Sequence, residues 1–504
     1  MLIQQNPAPR RRNGTKRIAA GLSTRGRRRR RIKLIASAVA AVAVLGGLLF
    51  PLAVPCGGEL WDDGGECVGI SDGSTSFHPE FDAVAAKIWA ENQRVAGQRG
   101  ITIAVLVPIP LPSESGQPPN GLLSTDQIRA LLEGAHVAQV QANRYDLKVR
   151  LVLANEGSRE QAWQPVVGEL ERLVRHPQPL VAVTGLGVSV QQTVDGARAL
   201  AAAGIPSIGS VITADGLNTT GTGAYGLVRV NSSNDDQLAA LAEFLPRNRP
   251  DLRKALVVAD TNPADFYTRT LREGFERHFG AYWDGPRPSW MPYSGVPRTP
   301  GIVAQFNSIA GRLCGDNPPD VFFYAGRAIL LPDFVAQLRQ RGCVTDRPVT
   351  VVTASDASDL QVALGEPGPN DSPVSVIYTG LAEPKALKDP RWNPTLDQYQ
   401  RFEAEFRNNG FPEADLRNGW AIMQHDAVLA AAQASRTAIG QGLHLPAPTD
   451  VLPQLYLMND PEHVVTGAGG SFQFDPVTGD AVGRRIPILE LTPAGQVDVL
   501  DVVG

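Results

Sequence analysis

The first 33 residues contain no aspartate or glutamate, and the next 21 carry no charge at all. The chain of 504 residues has four cysteines, none in a C-x-x-C pair, and it lacks G-x-x-x-x-G-K-[ST], H-E-x-x-H and G-x-S-x-G. Each absence excludes a chemistry. Without the first motif there is no P-loop for a nucleotide, and without the second no helix-borne zinc protease site. Without the third there is no nucleophile elbow, which counts against an extracellular α/β hydrolase. Four cysteines with no close pair disfavour zinc. One G-x-G-x-x-G exists, at Gly221, Gly223 and Gly226. It follows NTT and leads into LVRV, a predicted strand, whereas a dinucleotide loop follows a strand and opens a helix. No metal, cofactor or catalytic residue is therefore assigned. The seven histidines are scattered, and His425-Asp426 falls in an apolar helix, MQHDAVLAAA, where a packing role is expected.

What the amino terminus does have is basic. Residues 1–33 hold twelve Lys or Arg, and they abut the uncharged run Leu34–Val54. As an α-helix that run is about 30 Å long, the thickness of a bilayer's hydrocarbon core. The basic residues then mark the cytoplasmic side, and everything after Val54 lies outside. A basic arm on its own suits nucleic acid, but not one fused to such a helix. Beyond it, residues 34–504 carry 35 basic and 51 acidic residues, which also argues against a nucleic-acid partner. Three fates are open for the helix. Cleavage wants small residues where Pro55 stands, and a lipoprotein signal wants Gly or Ala before Cys56, where Pro55 stands again. An uncleaved signal anchor is preferred over cleavage and over lipidation at Cys56. Outside the membrane an even cysteine count suits two disulfides. Cys56 and Cys67 bracket a Gly-rich turn segment, and Cys314 and Cys343 flank a predicted strand and helix.

From Ile101 onward, apolar strands alternate with helices. ITIAVLV (101–107), LKVRLVLAN (147–155), LVAVTG (180–185) and IPSIGS (205–210) are strands, with helices over 124–143, 158–174 and 189–204. The pattern repeats with KALVVAD (254–260), DVFFYAG (320–326), PVTVVTAS (348–355) and PVSVIYTG (373–380), and later with helices near 395–408 and 414–439. SFQFDPVTGD reads as a hairpin around Thr478-Gly479, which RRIPILEL continues. Strands without polar alternation are covered on both faces, so the fold class is α/β: two doubly wound parallel-sheet lobes joined by a hinge, after one transmembrane helix. The expected divisions are a basic tail at 1–33, the membrane helix at 34–55, and a Cys-stapled hairpin with linker at 56–80. Lobe 1 is expected at 81–232 with return elements from about 375–440, and lobe 2 at 233–374 with C-terminal elements from about 441–504. Open α/β sheets bind ligands at the carboxyl ends of their strands, which places a site in the cleft between lobes.

The order and spacing of VTGLGVSVQQT, IPSIGSVITADGLN, ALVVADTNPADFYTRTLREGFE, VFFYAGRAILLPDFVAQLRQRG, GWAIMQHDAVLAAAQA and the terminal GSFQFDPVTGDAVGRRIPILEL resemble the branched-chain amino-acid binding proteins of ABC importers, which have the type I periplasmic binding fold. The resemblance spans about residues 98–504. It implies a ligand carboxylate held by Ser189, by the Ile212 backbone and by the Thr213 hydroxyl. It also implies an aromatic over the ligand at Phe266 or Tyr267, and an acid for the ligand ammonium at Asp356. Arg327 stands where the family has an aromatic. A guanidinium there favours an anionic substituent, or pairs with Asp356 and blocks the ammonium. Trp283 and Trp290 are expected to pack under a long loop. The resemblance implies a non-catalytic, membrane-tethered protein that binds a small polar solute, an amino acid or derivative, for an ABC permease. A receptor-type ectodomain on the same fold is the second reading and the hydrolase the third.

Overall fold

The computed structural model describes residues 56–110, 122–218, 223–283, 290–295, 301–343, 348–360, 368, 371–439 and 444–504. The expected basic tail and membrane helix lie outside them. Among the described residues no helix is long and apolar enough to cross a membrane.

Two seven-stranded sheets form the frame. The first contains β1 (Trp61–Asp63), β2 (Glu66–Ser71), β3 (Gly100–Val107), β4 (Lys148–Asn155), β5 (Leu180–Gly185), β6 (Ser207–Gly209) and β7 (Leu227–Arg229), in the order β1-β2-β4-β3-β5-β6-β7. The second contains β8 (Ala255–Asp260), β9 (Trp290–Tyr293), β10 (Val321–Ala325), β11 (Val349–Thr353) and β12 (Val374–Thr379). After a small sheet of β13 (Val465–Gly467), β14 (Gly470–Phe474) and β15 (Ala481–Val482), the chain adds β16 (Ile486–Leu491) and β17 (Val497–Val503) to the second sheet, whose order is β17-β16-β12-β11-β10-β8-β9. The central strands are parallel, and β3, β5, β10, β11 and β12 are buried along their whole length, as their mostly apolar runs require.

Both sheets are mixed rather than purely parallel, because each takes an antiparallel pair at one edge. β2 pairs antiparallel with β4, and β16 pairs antiparallel with β12. This moves the expected divisions. The Cys56–Cys67 disulfide does staple a hairpin, but β1 and β2 are strands of lobe 1, not a separate module. β12 belongs to lobe 2, so the return to lobe 1 begins after Thr379. The helix Pro448–Tyr456 and β13–β15 bury Val451, Leu455, Phe472 and Phe474 in the lobe 1 core. Of the C-terminal elements only β16 and β17 join lobe 2, so RRIPILEL leaves the β14–β15 hairpin instead of continuing it. The second disulfide, Cys314–Cys343, closes a loop within lobe 2.

Lobe 1 is wrapped by two long helices. Thr125–Ala142 starts at a reciprocal cap: the Ser124 hydroxyl accepts from the Gln127 amide at 3.2 Å, and the Gln127 side chain accepts from the Ser124 amide at 2.9 Å. It packs on Trp420–Ile439 so closely that a Cβ on Gly134 would lie 1.9 Å from the Ala421 carbonyl oxygen. The chain crosses between lobes three times, after β7, after β12 and between β15 and β16. Trp283 and Trp290 pack at the margin of the lobe 2 core.

Candidate functional site

The carboxyl ends of the parallel strands from both sheets meet at one narrow crevice. Ser189 and Thr213 line it from lobe 1, Tyr267, Arg327 and Asp356 from lobe 2, and Trp420 from the returning helix. Five of the six residues singled out from sequence are thus brought together. Ile212, expected to act through its backbone, precedes Thr213 and packs its own side chain into the lobe 1 core.

The loop after β5 is shaped by Glu160, a residue sequence reasoning missed. Its backbone is left-handed, φ 58°, an uncommon conformation for a residue with a side chain. The carboxylate holds the loop in place, accepting from the Val188 amide at 3.0 Å and from the Thr193 hydroxyl at 2.6 Å. Gly187 permits this approach, because a Cβ there would stand 2.1 Å from the Glu160 oxygen. Burial pushes the Glu160 carboxyl up to about 7, against the pull of its hydrogen bonds and of Arg327. No sequence motif marks this residue; only the tertiary approach reveals it.

The expected helix at 189–204 begins at Gln191, so Ser189 lies in the loop. Its hydroxyl oxygen accepts from the Thr213 amide at 3.3 Å and the Ala214 amide at 3.2 Å, which leaves its own proton to donate. Ser189 also joins the lobes. Its carbonyl accepts from the Phe266 amide at 3.0 Å, and Val190 and Asp265 form an antiparallel bridge. The two lobes are in contact, and the crevice leaves room for about one water molecule.

On the lobe 2 side the Arg327 guanidinium forms a fork with Asp265, Nε to Oδ2 at 2.7 Å and Nη2 to Oδ1 at 3.0 Å. It lies over the Tyr267 ring, 4.6 Å from the centroid. The expected alternative partner, Asp356, instead accepts from the Ala328 amide at 2.8 Å. Asp265, which the sequence reading did not single out, also caps the helix Phe266–His278: Oδ1 accepts from the Thr268 amide at 3.1 Å. Burial works to lower the Arg327 pKa, but Asp265 and Asp356 outweigh it and hold it above the ordinary arginine value. Burial raises Asp356, with Arg327 opposing. The Tyr267 hydroxyl is buried and has no side-chain hydrogen-bond partner. Among the described residues no cluster of His, Cys, Asp and Glu could hold a metal ion.

No protein-family model matches this chain, and no curated protein matches it. Solved structures do. A leucine-binding protein, LivK, from Thermotoga maritima aligns with a TM-score of 0.60 at 18 % identity, over 80 % of this chain and 99 % of its own. The branched-chain amino-acid binding protein LivJ from Streptococcus pneumoniae, in complex with isoleucine, aligns with a TM-score of 0.60 at 16 % identity, over 80 % and 99 %. The fold is the type I periplasmic binding fold. A solute-binding protein from R. palustris in complex with 4-hydroxybenzoate shares it, with a TM-score of 0.58 at 14 % identity, over 80 % and 97 %. In this chain the type I fold puts the strand-end loops of the two lobes face to face, with Arg327 between them.

Proposed function

We propose that this chain is an extracytoplasmic solute-binding protein that captures a small polar solute between its lobes, without catalysis, for an ABC importer. The observation that carries the reading is the convergence of Ser189, Thr213, Tyr267, Arg327 and Asp356, from five separate strand-end segments of two sheets, on one crevice. A guest touched from both sides stabilises only the closed form, so binding and closure are linked. Similar structures carry leucine, isoleucine or 4-hydroxybenzoate binding in their descriptions, which supports a small organic guest. Ser189 keeps a hydroxyl proton for an acceptor on the guest, and the Tyr267 hydroxyl has no side-chain partner. Residues 34–54 act as the uncleaved anchor, with the basic tail inside.

The test is a thermal-shift screen of residues 56–504, which form one compact unit. Amino acids, amines, sugars and nucleotides are tried in turn. A guest at one hundred times its Kd raises stability by about 2.7 kcal/mol. No shift across the library would remove the solute-binding reading. Protease added outside intact cells should digest the large portion and spare the arginine-rich tail; the reverse would remove the anchor.

A further inference from the structure

The crevice is narrow, and Arg327 forms part of its wall. Arg327 lies flat over an aromatic ring and is gripped by a carboxylate, with 16 % of its side chain exposed. These are the contacts that recognise an organic cation: a ring face, a carboxylate fork and low exposure to water. Asp265 holds the guanidinium, and Asp356 lines the same crevice. Asp265 and Asp356 belong to lobe 2, and Glu160 lies beneath the Val188 loop of lobe 1, near enough for Arg327 to act on its charge.

The two lobe 2 carboxylates do not depend on Arg327 for their positions. Asp265 is pinned by the Thr268 amide at 3.1 Å and Asp356 by the Ala328 amide at 2.8 Å. Were Arg327 to swing out as the lobes part, both would stay in place as acceptors. Tyr267 would present its ring face beside them. Its hydroxyl is 2 % exposed and has no side-chain hydrogen-bond partner, with the Asp356 backbone acting on it.

We propose, resting on the solute-binding reading above, that the guest is a small organic cation bearing an amine, amidinium or guanidinium group, and that Arg327 competes with it for Asp265 and the Tyr267 ring. The rival role for Arg327 is to anchor a guest's carboxylate. Its fork is already satisfied by Asp265, and an anion brought there would face Asp265 and Asp356 with one cation to offset them.

The experiment is calorimetric titration of the protein with agmatine, methylguanidinium, leucine and glutamate, on the native chain and on Arg327→Ala and Arg327→Met. The expected result is binding of agmatine or methylguanidinium by the native protein, at least tenfold tighter in either variant because the internal competitor is gone. Asp265→Asn should weaken that binding tenfold or more. If Arg327→Ala loses its fold, Arg327→Met keeps the apolar stem. Native circular dichroism with a methylguanidinium-dependent rise in melting temperature gives the same answer for either variant. Glutamate binding that disappears in the Arg327 variants would overturn the proposal, since Arg327 would then be an anion anchor. Binding of leucine alone would overturn the cationic class and leave the solute-binding role standing. Silence from these four and from the wider library would overturn both.

Discussion

The buried pair Asp426–Arg484 is expected to be a principal bond between the lobe 1 helices and the hinge. Asp426 is fully buried on the helix Trp420–Ile439, and 3 % of the Arg484 side chain is exposed. Their side chains meet at 2.7 Å. Asp426 also accepts from the Ala468 amide at 2.7 Å and the Gly469 amide at 3.1 Å. Arg484 donates to the Val230 carbonyl at 2.6 Å and lies 4.0 Å over the Phe472 ring. One carboxylate thus fixes the β13–β14 turn and the crossing at Gly483–Arg485, which in turn holds the crossing after β7. Burial alone would raise the Asp426 carboxyl; Arg484 and His425 outweigh it and hold it below the ordinary aspartate value. Asp426→Ala strands a buried guanidinium, and breaking such a pair costs about 3–5 kcal/mol. It also leaves two backbone amides unpaired, at about 1–3 kcal/mol each where no water reaches them. Against a total stability of roughly 5–15 kcal/mol this is a severe loss. With an unfolding entropy of about 2.1 cal/mol/K per residue, the unit Cys56–Gly504 shifts by about 1 °C per kcal/mol, so the ion-pair part alone lowers the melting temperature by roughly 3–5 °C. The assay is urea unfolding of Asp426→Ala, Arg484→Met and the double variant. A double-mutant cycle should give a coupling of about 2 kcal/mol or more. A single-variant loss below about 1 kcal/mol, with no coupling, would refute the argument.

Glu133 is 3 % exposed, has an oxygen without a hydrogen bond, and is pushed up to about 8 by burial first and then by Asp415. Because the folded value lies above the unfolded one, its contribution is fully present below about pH 4.5 and is lost as pH rises to about 8, by a few kcal/mol. Glu133→Gln should therefore be more stable than the native protein at pH 8 and flatten this part of the pH profile; an unchanged profile would contradict it. Gly134→Ala should destabilise by about 1–3 kcal/mol, since its Cβ would meet the Ala421 carbonyl at 1.9 Å, and an unchanged urea midpoint would show that the helices separate freely. Replacing Cys314 and Cys343 by serine opens a loop with a sequence separation of 29, worth roughly 3–4 kcal/mol by chain entropy. Equal unfolding midpoints for the oxidised protein and this variant would refute that estimate.

The strands could be read from the sequence because a strand buried on both faces must be apolar at every position, as ITIAVLV and DVFFYAG are. The order of strand-end loops then placed Ser189, Thr213, Tyr267, Arg327 and Asp356 near a cleft. Sequence assigned the whole C-terminal stretch to lobe 2, which holds for β16–β17 but not for the helix Pro448–Tyr456 and β13–β15, because which lobe a short apolar element covers depends on which core lies beside the returning chain. It could not find Glu160 or Asp265, since one acts through a left-handed backbone and the other resembles any helix cap. Whether Arg327 met Asp356 or Asp265 was decided by folding alone: charge sets which groups attract, but only the packed backbone sets which lie within 3 Å.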